Sequence, residues 1–189
     1  MRLLYEFLIQ SLWIAFLAYW FLMAANVKKT ERLEPAGARA LRLLLFAAAI
    51  VLLCAPLRFT WVDVRLWPAS RLSFFAGALI TLAGLLFAVW ARVHLGRNWS
   101  RSVTIKEGHE LIVTGPYALV RHPIYAGLLA GFVGTALAIG EVRGVVGFAL
   151  VAMALLLKLR LEEKWMREQF GAAYAAYAGR VAALVPGVR

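Results

Sequence analysis

The sequence predicts an all-α, polytopic membrane protein with about five transmembrane helices and a cytoplasmic C-terminal helical segment. Three observations predict it. Hydrophobic residues make up 63% of the 189 and charged residues only 16%, against roughly half and a quarter in an ordinary soluble domain. The apolar residues gather into runs close to the ~20 that a helix needs to cross hydrocarbon. The basic residues fall between those runs and favour alternate connections. No Ser-, Pro- or Gly-rich linker interrupts the chain, so residues 1–189 read as one integral membrane domain, with three spans over 1–93 and two more within 94–189.

The first run, Phe7 to Ala25, is 19 residues long. That exceeds the ~7–15 residues of a signal-peptide core, and no clean Ala-x-Ala site follows, so a retained span is expected. The second run is Leu43 to Leu57. The third is Leu72 to Trp90, with room to extend to Val93. A polar stretch from Arg97 to Arg121 follows. Two shorter runs, Ile124 to Ile139 and Val142 to Leu157, are then separated only by Gly140 and Glu141. They read as two tilted spans, the alternative being a hairpin that enters the bilayer partway.

A formal net charge of +11 would raise the question of nucleic acid in a soluble protein. Here sixteen of the 21 Lys and Arg residues lie in segments that share one side of the membrane, and five lie on the other. The positive-inside rule accounts for that bias, placing the N-terminus outside and the polar stretch and C-terminal tail in the cytoplasm. Membrane lipids are therefore the expected surroundings and nucleic acid is not an expected partner. Cys54 is the sole cysteine and lies within a span, which excludes a disulfide framework and a thiolate cluster; no metal is expected. Trp20, Trp61, Trp67, Trp90 and Trp165 fall near span ends, as interfacial aromatics do. Gly77 and Gly84 in the third span, and Gly127, Gly131 and Gly134 in the fourth, are spaced to let two helices approach closely.

The stretch "TGPYALVRHPIYAGLL", Thr114 to Leu129, sets an Arg-His-Pro triplet against an apolar run. Pro123 disfavours helix at His122 and suits a first helical turn, so a helix should begin at Pro123 or Ile124. Arg121 and His122 then stand before a helix N-terminus, whose open N–H groups and dipole attract a carboxylate or a phosphate. Gly115-Pro116 forms a turn into this segment, and Tyr117 and Tyr125 can offer aromatic faces. The alternative on these residues alone is that Arg121 is a positive-inside anchor and His122 an interfacial residue.

Beyond the fifth run, "LEEKWMREQFGAAYAAYAG" carries adjacent Glu162 and Glu163 one turn past Lys158. If the fourth and fifth helices are antiparallel neighbours, these carboxylates face Arg121 and His122, and the pair of charges suits a zwitterionic ligand. The alternative is a solvated helix with local pairs to Lys158, Lys164 or Arg167. Tyr174 and Tyr177, after a break at Gly171, can share a helix face, as surface anchors or as a pocket wall.

With these residues in view, "HELIVTGPYALVRHPIYAG" and, about 35 residues on, "LEEKWMREQFGAAYAAYAGRVAALVP" resemble the isoprenylcysteine carboxyl methyltransferases and the related phospholipid N-methyltransferases. The likeness covers His94 to Pro186, about half of the chain. It implies an integral membrane enzyme that uses S-adenosylmethionine, with residues 94–189 as its cofactor-binding half. Carried over motif by motif, His109, Leu111, Gly115, Tyr117, Arg121, His122, Pro123, Tyr125 and Glu162 would line the cofactor site, joined by Glu163, Tyr174 and Tyr177. Arg121, His122 and Glu162 are the implied catalytic residues. Trp99 can supply a further aromatic face. Where many relatives carry Arg four residues before the first Glu, this chain has Lys158, with Arg160 two residues on.

The acceptor implied is lipophilic or lipidated, foremost an isoprenylcysteine-like carboxylate. A phospholipid amine and a small thiol are the alternatives. More distant readings are an NADPH-dependent reductase of the sterol type, which would want more cations for its phosphates, and a scaffold without chemistry.

Overall fold

A computed structural model of the chain describes residues 2–23, 30–54, 61–96, 104–106 and 111–188. Its elements are α1 (Arg2–Met23), β1 (Thr30–Leu33), α2 (Ala36–Cys54), α3 (Arg71–Leu95), β2 (Thr104–Lys106), α4 (Pro123–Ile139) and α5 (Val142–Arg180). Helices α2, α3 and α5 are long and apolar enough to cross a membrane, while Phe7–Met23 of α1 and Pro123–Ile139 form shorter apolar helices. Large side chains such as Leu22, Leu44, Leu72 and Leu79 are exposed, an outer surface suited to acyl chains and costly in water.

The five described helices follow the predicted runs, with three differences at their ends, the first being that α1 begins at Arg2, five residues before its apolar run. Helix α2 begins at Ala36, seven residues before its apolar run, because Arg42 is buried there in an ion pair with Glu34. Helix α5 continues well past Leu157 to Arg180, bent at Gly171, whose backbone is left-handed (φ 48°). Hydropathy did not anticipate β1 and β2. They pair antiparallel, Thr30 opposite Lys106 and Leu33 opposite Thr104, joining two polar connections through main-chain groups that need partners.

Helices α3 and α4 form the tightest pair, and the glycines are the reason. A Cβ placed on Gly84 would stand 2.5 Å from the Gly127 carbonyl oxygen, and one on Gly127 equally close to the Gly84 oxygen. Backbone against backbone leaves no room for side chains, the packing mode expected where lipid removes any hydrophobic drive between helices. Thr81 adds a buried hydroxyl bond to the Gly131 carbonyl, 3.1 Å.

Gly140 ends α4 in the left-handed conformation (φ 68°), which glycine adopts without penalty. The connection before α3 is laced to the α4–α5 turn: Leu66 N–H donates to Gly140 O (2.9 Å), Val142 N–H to Val64 O (3.0 Å) and Arg143 N–H to Val62 O (2.9 Å). The Trp67 indole donates to Leu137 O at 3.0 Å, and Trp165 is buried. These two tryptophans are packing residues, whereas Trp61 and Trp90 are exposed, as interfacial residues would be. Helix α1 lies against α3, and α2 against α5, so α1 and α2 approach the bundle from different sides.

Candidate active site

The site forms where α4 begins and α5 leaves its apolar run. Helix α4 starts at Pro123 with His122 as its N-cap residue, as the Arg-His-Pro triplet predicts. Before it, Gly115–Ala118 makes one turn of 3₁₀ helix. Gly115 has φ 59°, and any Cβ there would meet the His94 ring within 3 Å. That glycine lets the turn sit on His94, which bonds Thr114 Oγ1 (2.9 Å) and stacks over Tyr117.

The two carboxylates of α5 face the triplet, one to each side. Glu163, 8% exposed, accepts from Arg121 Nε at 2.7 Å, from His122 Nε2 at 3.1 Å and from Arg167 at 3.1 Å. Glu162 accepts from the Tyr125 hydroxyl at 2.6 Å and lies 3.6 Å from His122 Nδ1 and 3.9 Å from Lys158 Nζ. The local pairs to Lys158 and Arg167 thus exist beside the cross-helix ones; Lys164 pairs instead with Glu168. Burial alone would depress the His122 pKa, but hydrogen bonds and charge from Glu162 and Glu163 outweigh it and hold the imidazole above its ordinary value.

Arg121 also closes the chain's C-terminal end. Its guanidinium donates to Ala178 O (3.2 Å) and Val181 O (2.5 Å), carbonyls at the end of α5 that the helix leaves unsatisfied. The backbone follows suit, with Arg121 N–H donating to Ala182 O (2.8 Å) and His122 N–H to Ala183 O (3.0 Å). Tyr177 donates to the Tyr117 carbonyl at 2.5 Å. The residues after α5 therefore strap the Arg-His-Pro segment in place.

A cavity of about 920 Å³ opens beside this cluster, at the upper end of the ~300–1,000 Å³ common for small-molecule sites. Leu111, Tyr117, Arg121, His122, Pro123, Tyr125, Glu162, Tyr174 and Tyr177 all line it, as does Lys158. Glu163 and Gly115 are not among its lining residues. His109 and Trp99 lie outside the described residues. From the polar end the cavity continues between α1 and α2 along Trp13, Phe16, Trp20, Phe46, Ile50 and Leu53. The Trp13 indole donates to Thr135 Oγ1 at 3.0 Å, which fixes the ring against α4. Among the described residues no cluster of His, Cys, Asp or Glu could hold a metal.

Sequence reasoning did not single out His94, although it opens the segment carrying the resemblance. The Trp13 and Phe46 walls gave no signal, since hydropathy cannot tell a lipid-facing aromatic from one facing a cavity.

An integral membrane helical bundle with a paired-charge site opening into an apolar chamber is the class that fold and cavity define. The chain belongs to the phospholipid methyltransferase family, whose model matches residues 72–173. Among relatives, protein-S-isoprenylcysteine O-methyltransferase B of Arabidopsis thaliana is 30% identical over 113 residues, covering 58% of this chain and 57% of that protein. A probable protein-S-isoprenylcysteine O-methyltransferase of Oryza sativa subsp. japonica is 32% identical over 115 residues, covering 59% and 60%. Protein-S-isoprenylcysteine O-methyltransferase of Saccharomyces cerevisiae is 29% identical over 142 residues, covering 72% and 59%. These matches span somewhat under two thirds of each relative's length.

Proposed function

We propose that this chain is an S-adenosylmethionine-dependent methyltransferase that esterifies the carboxylate of a lipid-tailed, isoprenylcysteine-like acceptor. The observation that carries the proposal is the shared cavity. Its Arg121, His122, Glu162 and tyrosine wall runs directly into an apolar chamber between α1 and α2. A charged, water-soluble cofactor and an acceptor with a hydrocarbon tail need those two surroundings side by side. The relatives' names supply the acceptor class.

The residues fit the cofactor's pattern of charge. Tyr117, Tyr125 and Tyr177 present aromatic side chains to the polar end, where ring faces attract a cation. Glu162, with 24% of its side chain exposed, would receive an ammonium group. Lys158 and the α4 N-terminus would receive a carboxylate. Leu111 and Pro123 give apolar wall, and Glu163 holds Arg121 and His122 in position. His109 and Trp99 join this set by resemblance alone.

When bound, S-adenosylmethionine supplies a methyl group already activated on a sulfonium sulfur. What remains for the protein is to align the nucleophile and exclude water. An acceptor carboxylate attacks without losing a proton. An amine or a thiol needs a base, and His122, both of whose ring nitrogens already face carboxylates at 3.6 and 3.1 Å, is poorly placed for that task. This favours carboxyl methylation over phospholipid N-methylation or thiol S-methylation. An NADPH reductase fits less well, because its pyrophosphate and 2′-phosphate call for more cations than Arg121, His122 and Lys158 supply at the polar end of the cavity. The arrangement proposed has five spans, the N-terminus outside, and the site and C-terminus in the cytoplasm. The bias of Lys and Arg residues supports it.

The test is calorimetric binding of S-adenosylhomocysteine to detergent-purified protein, followed by transfer of a labelled methyl group to N-acetyl-S-farnesylcysteine. Micromolar binding that weakens at least about tenfold in both Arg121→Ala and Glu162→Ala is expected, with a base-labile ester as product. Folded wild-type protein that binds no S-adenosylhomocysteine would overturn the reading. Label appearing instead on phosphatidylethanolamine would move the acceptor to an amine.

A further inference from the structure

At the end of the bundle away from Arg121, the same cavity meets a second charged group that the proposed chemistry does not use. Arg65, Glu141 and Arg143 line it there. Glu141 binds both arginines, Arg65 at 3.0 Å and Arg143 at 2.6 Å, and Asp63 lies 3.9 Å from the Arg143 Nε. The Glu141 side chain is 13% exposed. Arg143 also reaches the Leu52 carbonyl at 3.5 Å, in the last turn of α2. Backbone bonds from Leu66, Val142 and Arg143 fix the two connections that carry these charges. The group is therefore rigid and mutually compensated. Arg65 and Asp63 keep 49% and 37% of their side chains exposed, whereas separating Glu141 from Arg143 would leave a poorly hydrated charge without its partner.

A hydrocarbon chain gains by covering the walls of Trp13, Phe46 and Leu53. It gains nothing by pressing on the inner pair of this cluster, Glu141 and Arg143, whose side chains are 13% and 21% exposed and would lose what hydration they keep. The channel between the two charged ends also has a set length. It runs beside α4, which has 17 residues and so rises about 25 Å.

We infer that the Arg65–Glu141–Arg143 cluster is the floor of the channel for the acceptor's tail and sets the longest tail the protein takes. The inference rests on the methyltransferase reading of the opposite end. A tail that stops short leaves apolar wall uncovered, one that reaches the floor covers it, and a longer one must break the ion pairs or leave between α1 and α2.

Cys54 provides the reporter. It is the only cysteine in the chain, it is exposed, and it lines the cavity near this floor. The experiment measures alkylation of Cys54 by a maleimide, with S-adenosylhomocysteine and saturating N-acetylcysteine thioethers whose tails grow one isoprene unit at a time. Alkylation should slow at least about tenfold once the tail reaches the floor. In turnover, kcat/KM should climb to the same tail length and fall about tenfold or more with the next unit. Ile139→Trp fills the floor without touching a charge and should move both breakpoints to a shorter tail; its S-adenosylhomocysteine affinity, read at the other end, reports folding. Alkylation equally fast with every tail, in protein that binds S-adenosylhomocysteine and methylates, would overturn the floor and send the tail out between α1 and α2. Protein that binds no S-adenosylhomocysteine would overturn the underlying reading and this inference with it.

Discussion

Glu163→Gln isolates what the buried carboxylate contributes to the site. The substitution keeps the shape and removes the charge that Arg121 and His122 share. Breaking a buried pair by deleting one partner costs about 3–5 kcal/mol. The lower end applies here, because the amide oxygen can still accept one hydrogen bond. The third partner, Arg167, is 64% exposed and adds little. About 3 kcal/mol corresponds to a fall in Tm of about 6–12 °C for a chain of this size. The pH dependence supplies a second signature. His122 has its folded-state pKa raised, so its contribution is complete below the ordinary imidazole value of about 6.5 and is lost as pH rises through the folded value. With one of its two carboxylates gone, the folded value should be raised less, so the loss should be complete at a lower pH in the variant. The assay is thermal unfolding in detergent, followed between about pH 5 and 9. A Tm within about 2 °C of wild type, with superimposable pH profiles, would refute the account of Glu163 as the charge that holds the triplet.

Three further outcomes follow from the geometry. Gly127→Ala puts a methyl against the Gly84 oxygen and the Ala88 nitrogen, 2.5 and 2.8 Å away; the α3–α4 pair must separate, costing about 1–3 kcal/mol, read as a lower Tm. Tyr177→Phe removes the hydroxyl that reaches the Tyr117 carbonyl, about 1 kcal/mol in stability, and should weaken S-adenosylhomocysteine binding severalfold in calorimetry. Trp13→Phe loses the bond to Thr135 and part of the chamber wall, so KM for a tailed acceptor should rise severalfold in steady-state kinetics while kcat falls much less.

The helices were legible because a membrane imposes a length and a hydropathy on them, and Pro123 and Gly140 mark the two ends of α4 by their backbone chemistry alone. The pairing of Arg121 and His122 with the Glu162–Glu163 step was also legible as one of two alternatives, from the short Gly140-Glu141 connection and opposite charges. The cavity was not. Whether Trp13 or Phe46 faces lipid or a chamber depends on where α1 and α2 dock, and apolar surroundings on both sides leave no trace in a hydropathy pattern. The buried Arg42–Glu34 pair was hidden for a related reason, because Arg42 read as one more positive-inside residue. The ribbon of β1 and β2 joins segments more than 70 residues apart, beyond the reach of any local pattern.

The strap after α5 has a consequence for how the protein is made. Ala182 and Ala183 accept the backbone N–H groups of Arg121 and His122, yet they follow all five helices in chain order. Synthesis runs from the N-terminus, so each helix is available to the insertion machinery before these residues emerge. Arg121 and His122 are thus made about 60 residues before the groups that clasp them, and the pocket is complete only once those last residues have docked. A chain truncated near Arg180 would contain every described helix and still lack the Ala182 and Ala183 contacts, leaving an unlatched protein.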